Sequence, residues 1–516
     1  MMKRLFTIAA LMLSVLAAEA QVYVATDKSC YVAGDRILCS VFCGAGPSVA
    51  YLELVSTDGP AARARVDIRD GRGGGSLRIP VATPTGNYRL MAYTGPEDVS
   101  SGGPVISIFN TFINGRVRDG VEIVSSGEYG TPVRAQTGYG FAASTDGDIV
   151  LENTSGVPVT CCISLYREDM LQPAAYRSIA GFDPAPAVLP GSGETIYARL
   201  VGTDAEAINE AALPENSEVR AIMAVPGSKN DCYTGTYCGD GLFRFDTENV
   251  FGSVNMVFQL AGLKPGQECH LEPVSPFLAP PAGNVPKLRL CRSMEPDLLR
   301  RSASLAEEVS RDTVSVTLPM RRDHFFRTHE CVSYILDDYT RFPTMEEVFV
   351  EITPNVKLRR RGGQPRIYVL MRTSVQEATP RWGDAMVMVD GVPVTDQKLI
   401  ETYDPAIVKV VEVYPYRYKM GGSEFDGVVN LVTFKGNMPG VLFDDNVRIY
   451  GFQGCAWPED HYGAETLVWR PLVTLEPGGK VVLPSAGMVS GTGYTLSVDG
   501  LTESGRPVYL RKSFVR

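Results

Sequence analysis

Cysteine is the residue type in this sequence best suited to chemistry, because a thiol can attack a carbonyl, bind a metal or form a disulfide. The chain has eleven cysteines, an odd number. Cys232 and Cys238 are near enough in sequence to close a small loop, whereas Cys161 and Cys162 would face opposite sides of a strand. No Cys-x-x-Cys pairs occur opposite a histidine cluster, which disfavours a metal site. The sequence favours partly buried free thiols together with one or two disulfides.

The spacing of the histidines and the absence of known catalytic motifs also argue against a metal site and against catalysis. The four histidines are His270, His324, His329 and His461. The five-residue offset between His324 and His329 matches neither a helix face nor a known ligand pair, so solvated or half-packed histidines are favoured over a zinc site. No Gly-x-Ser-x-Gly elbow, His-Glu-x-x-His helix or phosphate-binding glycine loop occurs. We therefore predict a protein that is not an enzyme, with no catalytic, cofactor-binding or metal-binding residue and no cofactor.

Charged pairs are better explained by solvation than by catalysis. Adjacent acids point to opposite faces of a strand and diverge by about 100° on a helix, so neighbouring carboxylates are not ready acid–base couples. Lys357 to Gly363 is a basic hairpin tip that could contact lipid headgroups or an acidic partner, with a solvated turn as the favoured interpretation. The acidic pairs are Asp337–Asp338, Glu346–Glu347 and Asp444–Asp445. The three tryptophans, Trp382, Trp457 and Trp469, are expected in cores or interfaces rather than in a carbohydrate platform.

Composition limits the class of protein. The 516 residues are enough for three or four domains, and 44% hydrophobic with 21% charged residues is typical of globular proteins. The net charge of −10 argues against nucleic acid as the main partner. The 51 glycines and 35 prolines indicate many short strands joined by turns.

The first twenty residues have the pattern of an export signal. Lys3 and Arg4 precede an apolar run from Leu5 to Ala18, and Ala18-Glu19-Ala20 is a small-x-small cleavage site. The apolar run is too short to span a membrane, and no Leu-x-x-Cys lipobox follows. We expect a signal peptide at 1–20, a mature chain without a transmembrane span, and an exported protein.

The stretch from Leu336 to Gly440 contains the most specific pattern of strands. Met386 to Val389 leads into Asp390-Gly391 and Val392-Pro393-Val394, which predicts a strand, a tight turn that tolerates positive φ, and a restart. Ile407 to Tyr414 and Gly427 to Phe434 are predicted strands, with a short helix between Asp396 and Pro405.

This order resembles the plug domain of TonB-dependent outer-membrane receptors, in which an Asp-Gly-Val-Pro turn is followed by a strand ending in Val-Glu-Val and a Gly-Val-Val-Asn-Leu-Val-Thr strand. A receptor barrel needs many strands of roughly 9–11 residues each. Few residues follow Gly440, so the resemblance implies a small α+β plug-like domain, 336–444, without a β-barrel.

The N-terminal residues resemble a different module. Thr26-Asp27-Lys28, Tyr31, Gly34-Asp35 and the strand from Gly86 to Thr94 resemble alpha-2-macroglobulin-type domains of bacterial envelope proteins. The resemblance implies a β-sandwich at 21–124. The thioester of complement-type macroglobulins needs Cys-Gly-Glu-Gln; Gln267-Glu268-Cys269 has the reverse order and Gly454-Cys455-Ala456-Trp457 lacks the glutamine, so covalent trapping is not expected.

The remaining ranges complete the predicted organisation. We expect a second β-sandwich-like module at 125–282 and a C-terminal β-module at 445–516. Between them, 283–335 is a connecting segment with a helix from Glu295 to Glu308, whose Leu298, Leu299 and Leu305 would pack inward and whose Arg300 and Arg301 would point outward. The fold class is thus mainly β and multidomain, with macroglobulin-like β-sandwiches plus a plug-like domain. This combination resembles Bacteroidetes-type envelope proteins.

Together these expectations describe a protein-binding or scaffolding component of the cell envelope, located in the periplasm or at the outer membrane, with surface exposure left open. Its expected partners are other envelope proteins rather than nucleic acid. One alternative is an accessory role in TonB-dependent transport beside a separate outer-membrane barrel. Another is a protease-inhibitor-like or adhesin function.

Overall fold

The structure is a computed structural model that describes residues 22–96, 103–112, 114–125, 136–171, 178–184, 193–211, 219–227, 231–312, 331–372, 381–420 and 423–516. The predicted signal peptide lies outside these residues, and so do His324 and His329. Most of the described chain is strand, and its strands form several separate sheets. The prediction of a mainly β, multidomain chain is therefore confirmed.

The strands are numbered along the chain. The first twenty are β1 Val22–Thr26, β2 Cys30–Val32, β3 Arg36–Cys43, β4 Val49–Ser56, β5 Gly59–Asp67, β6 Arg72–Arg78, β7 Gly86–Tyr93, β8 Val105–Phe109, β9 Val121–Ile123, β10 Gln136–Tyr139, β11 Phe141–Ser144, β12 Ile149–Asn153, β13 Val159–Arg167, β14 Thr195–Gly202, β15 Arg220–Val225, β16 Asp231–Thr234, β17 Thr236–Tyr237, β18 Leu242–Asp246, β19 Ser253–Ala261 and β20 Cys269–Pro273.

The second part of the chain contributes the rest, in the same order. These strands are β21 Leu288–Leu290, β22 Val332–Ile335, β23 Val356–Arg361, β24 Gln364–Met371, β25 Arg381–Asp384, β26 Met386–Val389, β27 Val392–Pro393, β28 Val408–Met420, β29 Ser423–Thr433, β30 Val447–Gln453, β31 Cys455–Ala456, β32 Thr466–Leu475, β33 Lys480–Leu483, β34 Gly493–Thr502 and β35 Pro507–Val515. The α-helices of the described residues are α1 Ala205–Ala211, α2 Glu295–Asp312, α3 Met345–Glu351 and α4 Lys398–Glu401.

The chain divides into two compact units, and the first contains two β-sandwiches. It comprises the described residues of Met1–Gly191, Phe277–Val316 and Gly454–Arg516. The first sandwich packs the sheet β1-β3-β6 on the sheet β2-β8-β7-β4-β5-β31. Side chains from both sheets form its core, including Val41, Leu54, Leu77 and Leu90. One face of each sheet lines this core, and the opposite face of β1 and β3 is buried as well.

The second sandwich of this unit is built from two distant parts of the sequence. It packs the sheet β10-β35-β34-β13-β32 on the sheet β11-β12-β33. Strand β13 pairs with β32 on one side and with β34 on the other. The strand pairing therefore joins the first part of the predicted range 125–282, as far as β13, with strands β32 to β35 of the predicted range 445–516.

Helix α2 belongs to the first unit and begins after a turn at Arg292–Met294. It includes the predicted helix from Glu295 to Glu308 and ends four residues later. Its orientation differs from the prediction, because Arg301 is buried and Leu299 is 66% exposed. Met294, Leu298 and Leu305 pack inward at helical spacing, and Arg301 lies on that same face.

The second unit comprises the described residues of Ser192–Pro276 and Thr317–Gln453. A third sandwich packs the sheet β17-β18-β14-β20 on the sheet β16-β15-β19-β30. The α+β part combines the sheets β22-β28-β29-β26-β27 and β23-β24-β25 with α3 and α4 around one core. The predicted Asp390-Gly391 turn is present, with φ values of 49° and 79° that match a two-residue type I′ hairpin.

The two longer strands predicted after that turn are present as well. The strand predicted from Ile407 to Tyr414 is β28, and the one predicted from Gly427 to Phe434 is β29. Both strands are longer than predicted, and they pair with each other along most of their length. None of the helices in the described part of the chain combines the length and apolar character that a membrane span requires.

Candidate functional site

The most strongly polar site of the first unit is centred on Asp27, which is completely buried after β1. Its Oδ1 accepts hydrogen bonds from the hydroxyl of Tyr31 at 2.7 Å and from the backbone N–H of Leu38 at 3.2 Å. Its Oδ2 accepts from Lys28 Nζ at 2.9 Å and from Thr466 Oγ1 at 2.6 Å. Both carboxylate oxygens are therefore fully occupied, as a buried charge requires.

Two arginines of α2 extend this buried charge cluster. The Nε of Arg301 lies 2.7 Å from Asp169 Oδ2, and its Nη1 donates to the backbone carbonyl of Cys30 at 2.6 Å. Arg300 pairs with Asp169 at 2.9 Å and also with Glu465. The cluster thus ties α2 to β2, to the residues after β13 and to the residues before β32.

The electrostatics of the cluster argue against nucleophilic or base catalysis. Burial alone would lower the pKa of Lys28, but the carboxylates of Asp27 and Asp35 outweigh burial and raise it. Burial also opposes the charge of Arg301, whose pKa is nevertheless raised, chiefly by Asp169. Burial raises the pKa of the Cys30 thiol to about 12. The amine and the thiol therefore stay protonated at neutral pH, in the forms that cannot attack a substrate.

A small polar pocket of about 30 Å³ lies beside the cluster, lined by Lys28, Arg301, Glu308, His461 and other residues. Burial is the main cause that lowers the pKa of His461, with opposing contributions from nearby carboxylates. The backbone of His461 exchanges hydrogen bonds with Trp469 at 2.8 and 2.9 Å. Lys28, Arg301 and Glu465, which line this pocket, are engaged in ion pairs, so the cluster acts as a structural clamp.

A different kind of site is offered by β30, an edge strand of the third sandwich in the second unit. It pairs with β19 along one side, and Tyr450 and Phe452 pack into the core of the sandwich. Ile449 points away from the core and is 48% exposed. Nothing lies within 4 Å of the position that a side chain at Gly451 would occupy. The outer face of β30 is therefore open at Ile449 and Gly451, and no described strand pairs with its outer edge.

The other edge strands of the described residues are protected. β23 carries a run of lysine and arginine, and β32 contains Pro471 and is bridged by His461. β6 is largely buried, and the remaining edge strands have five residues or fewer. Charges, proline, burial and shortness are the usual means of preventing edge-to-edge pairing. Among the described residues, β30 is the one exposed edge of seven or more residues that has no such protection.

The structure places the eleven cysteines, all of them within the described residues, as free thiols. The prediction of one or two disulfides is therefore wrong. Cys232 lies 3.6 Å from Met420 Sδ instead of pairing with Cys238, which is exposed. Cys161 and Cys162 are both buried. Most of these thiols fill apolar cores as small hydrophobic side chains.

The described residues contain no group of three or more His, Cys, Asp or Glu side chains placed to hold a metal ion. The predicted pair His324–His329 lies outside the described residues, and His270 contacts Glu272 on the surface. The residues of the predicted acidic pairs make local structural contacts. Asp337 pairs with Arg341, and Thr344 caps α3 by accepting from the backbone N–H of Glu347 at 3.2 Å.

The tryptophans are divided between core and surface. Trp469 is 1% exposed and lies in an apolar cluster, as expected for a core residue. Trp457 is 39% exposed, and the Lys357 ammonium lies 4.0 Å from the centroid of the Trp382 ring.

The sequence did not reveal Asp27, Asp169 and Arg301 as a cluster, because ion pairs between distant segments leave no local pattern. Arg301 at the spacing of Leu298 and Leu305 was the available signal.

No protein-family model matches the chain, and no curated protein matches it. Among solved structures, the native conformation of Escherichia coli alpha-2-macroglobulin matches with 8% identity and a TM-score of 0.24, covering 97% of this chain and 40% of that one. Salmonella alpha-2-macroglobulin reacted with methylamine matches with 11% identity and a TM-score of 0.23, covering 96% and 39%. Elastase-activated E. coli alpha-2-macroglobulin matches with 9% identity and a TM-score of 0.24, covering 96% and 43%. The chain spans about two fifths of the length of these proteins, and a likeness of this degree carries no information on activity.

Proposed function

We propose that this protein is an exported, non-enzymatic component of the cell envelope that binds other proteins, and that β30 accepts an extended segment of a partner. The single observation that carries the proposal is the unprotected edge of β30, which is seven residues long and exposes Ile449. An added strand would complete the backbone hydrogen bonds of this edge, which is the basis of recognition by strand addition.

The side chains of β30 suit such a partner. Arg448 is the one charged residue of the strand, and its guanidinium donates to the carbonyls of Asp445 and Val447. Gly451 leaves room for a partner side chain beside Ile449. Side chains alternate across a strand, so the outward row of Ile449, Gly451 and Gln453 would select the partner sequence. We expect a partner segment with an apolar residue that packs between Ile449 and Gln453.

The proposed place of action is the periplasm or the outer membrane. The N-terminal pattern of a basic start, an apolar run and Ala18-Glu19-Ala20 supports export. The non-enzymatic assignment is supported by the buried cluster, where Lys28 and Cys30 are held protonated. Export and a non-enzymatic role are both parts of what we propose.

The proposal is tested by affinity capture from detergent-solubilised envelopes of the producing cells. The double variant Ile449→Lys, Gly451→Lys places two cations on the edge of β30, at an exposed site and at an open one. Charged edge residues prevent strand pairing. We expect the native protein to capture a defined partner and the double variant to lose about nine tenths or more of it, corresponding to about 1.4 kcal/mol of binding free energy or more.

The matched control is Val482→Lys on β33, a short edge strand in the first unit whose Val482 is 58% exposed. This control adds a surface cation and should leave capture unchanged. Equal capture by the native protein and the β30 variant would disprove binding at this edge. Absence of any partner above background would disprove the protein-binding function itself.

A second candidate function is action beside a separate outer-membrane barrel protein. It is supported by the order of β26, the Asp390-Gly391 turn, α4, β28 and β29, which follows the predicted plug-like sequence of elements. Co-purification of a barrel protein that is lost when 336–444 is deleted, but retained in the β30 variant, would favour this candidate.

A further inference from the structure

The three-stranded sheet β23-β24-β25 has one face that is unusually basic. Strands β23 and β24 form a hairpin whose turn is Gly362-Gly363, with φ values of 59° and 80° that suit a two-residue type I′ turn. Pro365, Ile367 and Val369 point to the buried side of β24. Residues at the alternate positions of the strand therefore point to the opposite, exposed side.

The register of the sheet collects four cations on that exposed face. Lys357 lies opposite Tyr368, Arg359 opposite Arg366 and Arg361 opposite Gln364. All four cations are exposed, and β25 adds Trp382 and Asp384 to the same face. Asp384 is the one carboxylate that these three strands place there, so four positive charges face one negative charge. We name this surface, formed by Lys357, Arg359, Arg361, Arg366, Tyr368, Trp382 and Asp384, the basic face.

The cations of the basic face lack acidic partners within the described residues, whereas neighbouring arginines have them. Arg360 points to the other side of β23 and pairs with Glu401, and Arg381 pairs with Asp426 at 2.6 Å. Arg359, Arg361 and Arg366 make no ion pair with a described carboxylate, and Lys357 contacts the Trp382 ring. The sequence has 59 acidic and 49 basic residues, so unpaired cations in one place are not a result of composition.

Protection of a sheet edge does not explain this arrangement. Lysine and arginine on β23 do protect an edge strand, as noted above. Arg366, however, lies on β24, which has a neighbouring strand on both sides and needs no protection. Arg359 and Arg366 are also direct cross-strand partners, and like charges in that position destabilise a sheet. A bound anionic surface would remove this repulsion.

We propose that the basic face binds anionic phospholipid headgroups and holds the protein against a membrane surface. The cations lie on a flat sheet face at alternate positions, an arrangement that suits many phosphates in a plane better than one enclosed phosphate. Tyr368 and Trp382 are half-buried beside them, and such amphipathic rings favour the membrane–water interface.

The inference concerns a surface separate from β30, so its test is independent of the proposed partner. The measurement is co-sedimentation of the mature chain with phosphatidylcholine vesicles that contain or lack phosphatidylglycerol, at low and high sodium chloride. We expect binding only to the anionic vesicles, and binding that weakens as salt screens the charges. The variant Arg359→Gln, Arg366→Gln should bind them about tenfold more weakly or worse, since each basic residue near a membrane contributes about 1 kcal/mol.

The control variant Arg360→Gln, Arg381→Gln removes the same number of charges from the same sheet. Because both of these arginines pair with carboxylates, it should bind within about twofold of the native protein. Circular dichroism of both variants excludes unfolding, and Arg359→Gln, Arg366→Gln relieves a repulsion, so it should fold at least as well.

Three results would overturn the proposal. The first is equal binding to neutral and anionic vesicles. The second is equal loss in the two double variants, which would indicate a response to net charge rather than to the basic face. The third is release from the vesicles by inorganic phosphate or by a duplex DNA oligonucleotide at constant ionic strength, which would assign the face to a single phosphate or to nucleic acid.

Discussion

Asp390 and Thr433 are joined by two hydrogen bonds. The Asp390 Oδ1 accepts from the backbone N–H of Thr433, and its Oδ2 accepts from Thr433 Oγ1, both at 2.7 Å. The same Oδ2 accepts from the backbone N–H of Met438 at 2.8 Å. Asp390 is completely buried at a φ of 49° and belongs to the turn between β26 and β27. One carboxylate of the turn therefore accepts hydrogen bonds from the end of β29 and from the segment that follows it.

Replacing Asp390 should strongly destabilise the α+β part of the second unit. Asp390→Ala would leave two backbone N–H groups and a hydroxyl buried without acceptors, which costs about 2–4 kcal/mol of the free energy of unfolding. The measurement is urea unfolding followed by tryptophan fluorescence. The control is Asp396→Ala, which removes a bond to the Lys398 backbone N–H at an exposed site and should cost less than about 1 kcal/mol. Equal effects of the two variants would contradict the assigned role.

Arg301 should be important for the stability of the first unit. Arg301→Met leaves Asp169 buried with Arg300 as its remaining cation, and removing one partner of a buried pair costs about 3–5 kcal/mol. The double variant Arg301→Met, Asp169→Leu removes both charges and should recover most of that loss, because apolar pairs of similar size often replace buried ion pairs. Arg69→Met, at an exposed pair with Asp67, should change the unfolding free energy by less than about 0.5 kcal/mol. A double variant no more stable than Arg301→Met would contradict the pairing.

Thiol labelling should single out one cysteine. Cys238 is exposed and Cys232 and Cys331 are half-buried, whereas the other thiols are buried and need an opening of the fold before a reagent can reach them. Brief treatment of the native, non-reduced protein with a maleimide should give one main adduct at Cys238, detected by peptide mass spectrometry. The same treatment in denaturant should modify all eleven cysteines, because none is in a disulfide. Cys238→Ser should abolish the native adduct, and any cysteine unmodified in denaturant would indicate a disulfide.

The stability of the first unit should decrease in mild acid because of His461. Burial lowers the pKa of His461 below 6.5 in the folded protein, so the unfolded chain binds a proton more readily. Stability from this residue is therefore fully present above about pH 6.5 and is lost as the pH falls toward the folded pKa. His461→Gln should flatten the dependence of the unfolding free energy between about pH 7 and pH 5. An unchanged slope in that variant would show that another group is responsible.

Local patterns in the sequence predicted local structure well. The strands predicted from Ile407 to Tyr414 and from Gly427 to Phe434 are present as β28 and β29, since each is a β-rich run. The Asp390-Gly391 turn was predicted from its residue types, because few residues adopt positive φ. The local pattern did not predict the hydrogen bonds of the Asp390 carboxylate, because its partners Thr433 and Met438 come near it only in the folded chain.

Contacts between distant segments account for the other differences. In the sequence Asp27 was only part of a resemblance to a domain type, yet in the fold it is the centre of a buried cluster that includes Thr466. Arg301 was predicted to point outward because arginine is seldom buried, and its burial depends on Asp169 in another part of the chain. The open edge of β30 depends on which strands pair, which the sequence of Val447 to Gln453 alone does not determine.

The pairing of β13 with β34 has a consequence for the order of events during synthesis. Cys162 and Asp499, which face each other across these strands, are 337 positions apart in the sequence. The first strands of the second sandwich therefore cannot be fully covered until the residues of β34 have been synthesised. Such a delay leaves apolar strands uncovered during synthesis, and it makes an early encounter with a holding chaperone advantageous.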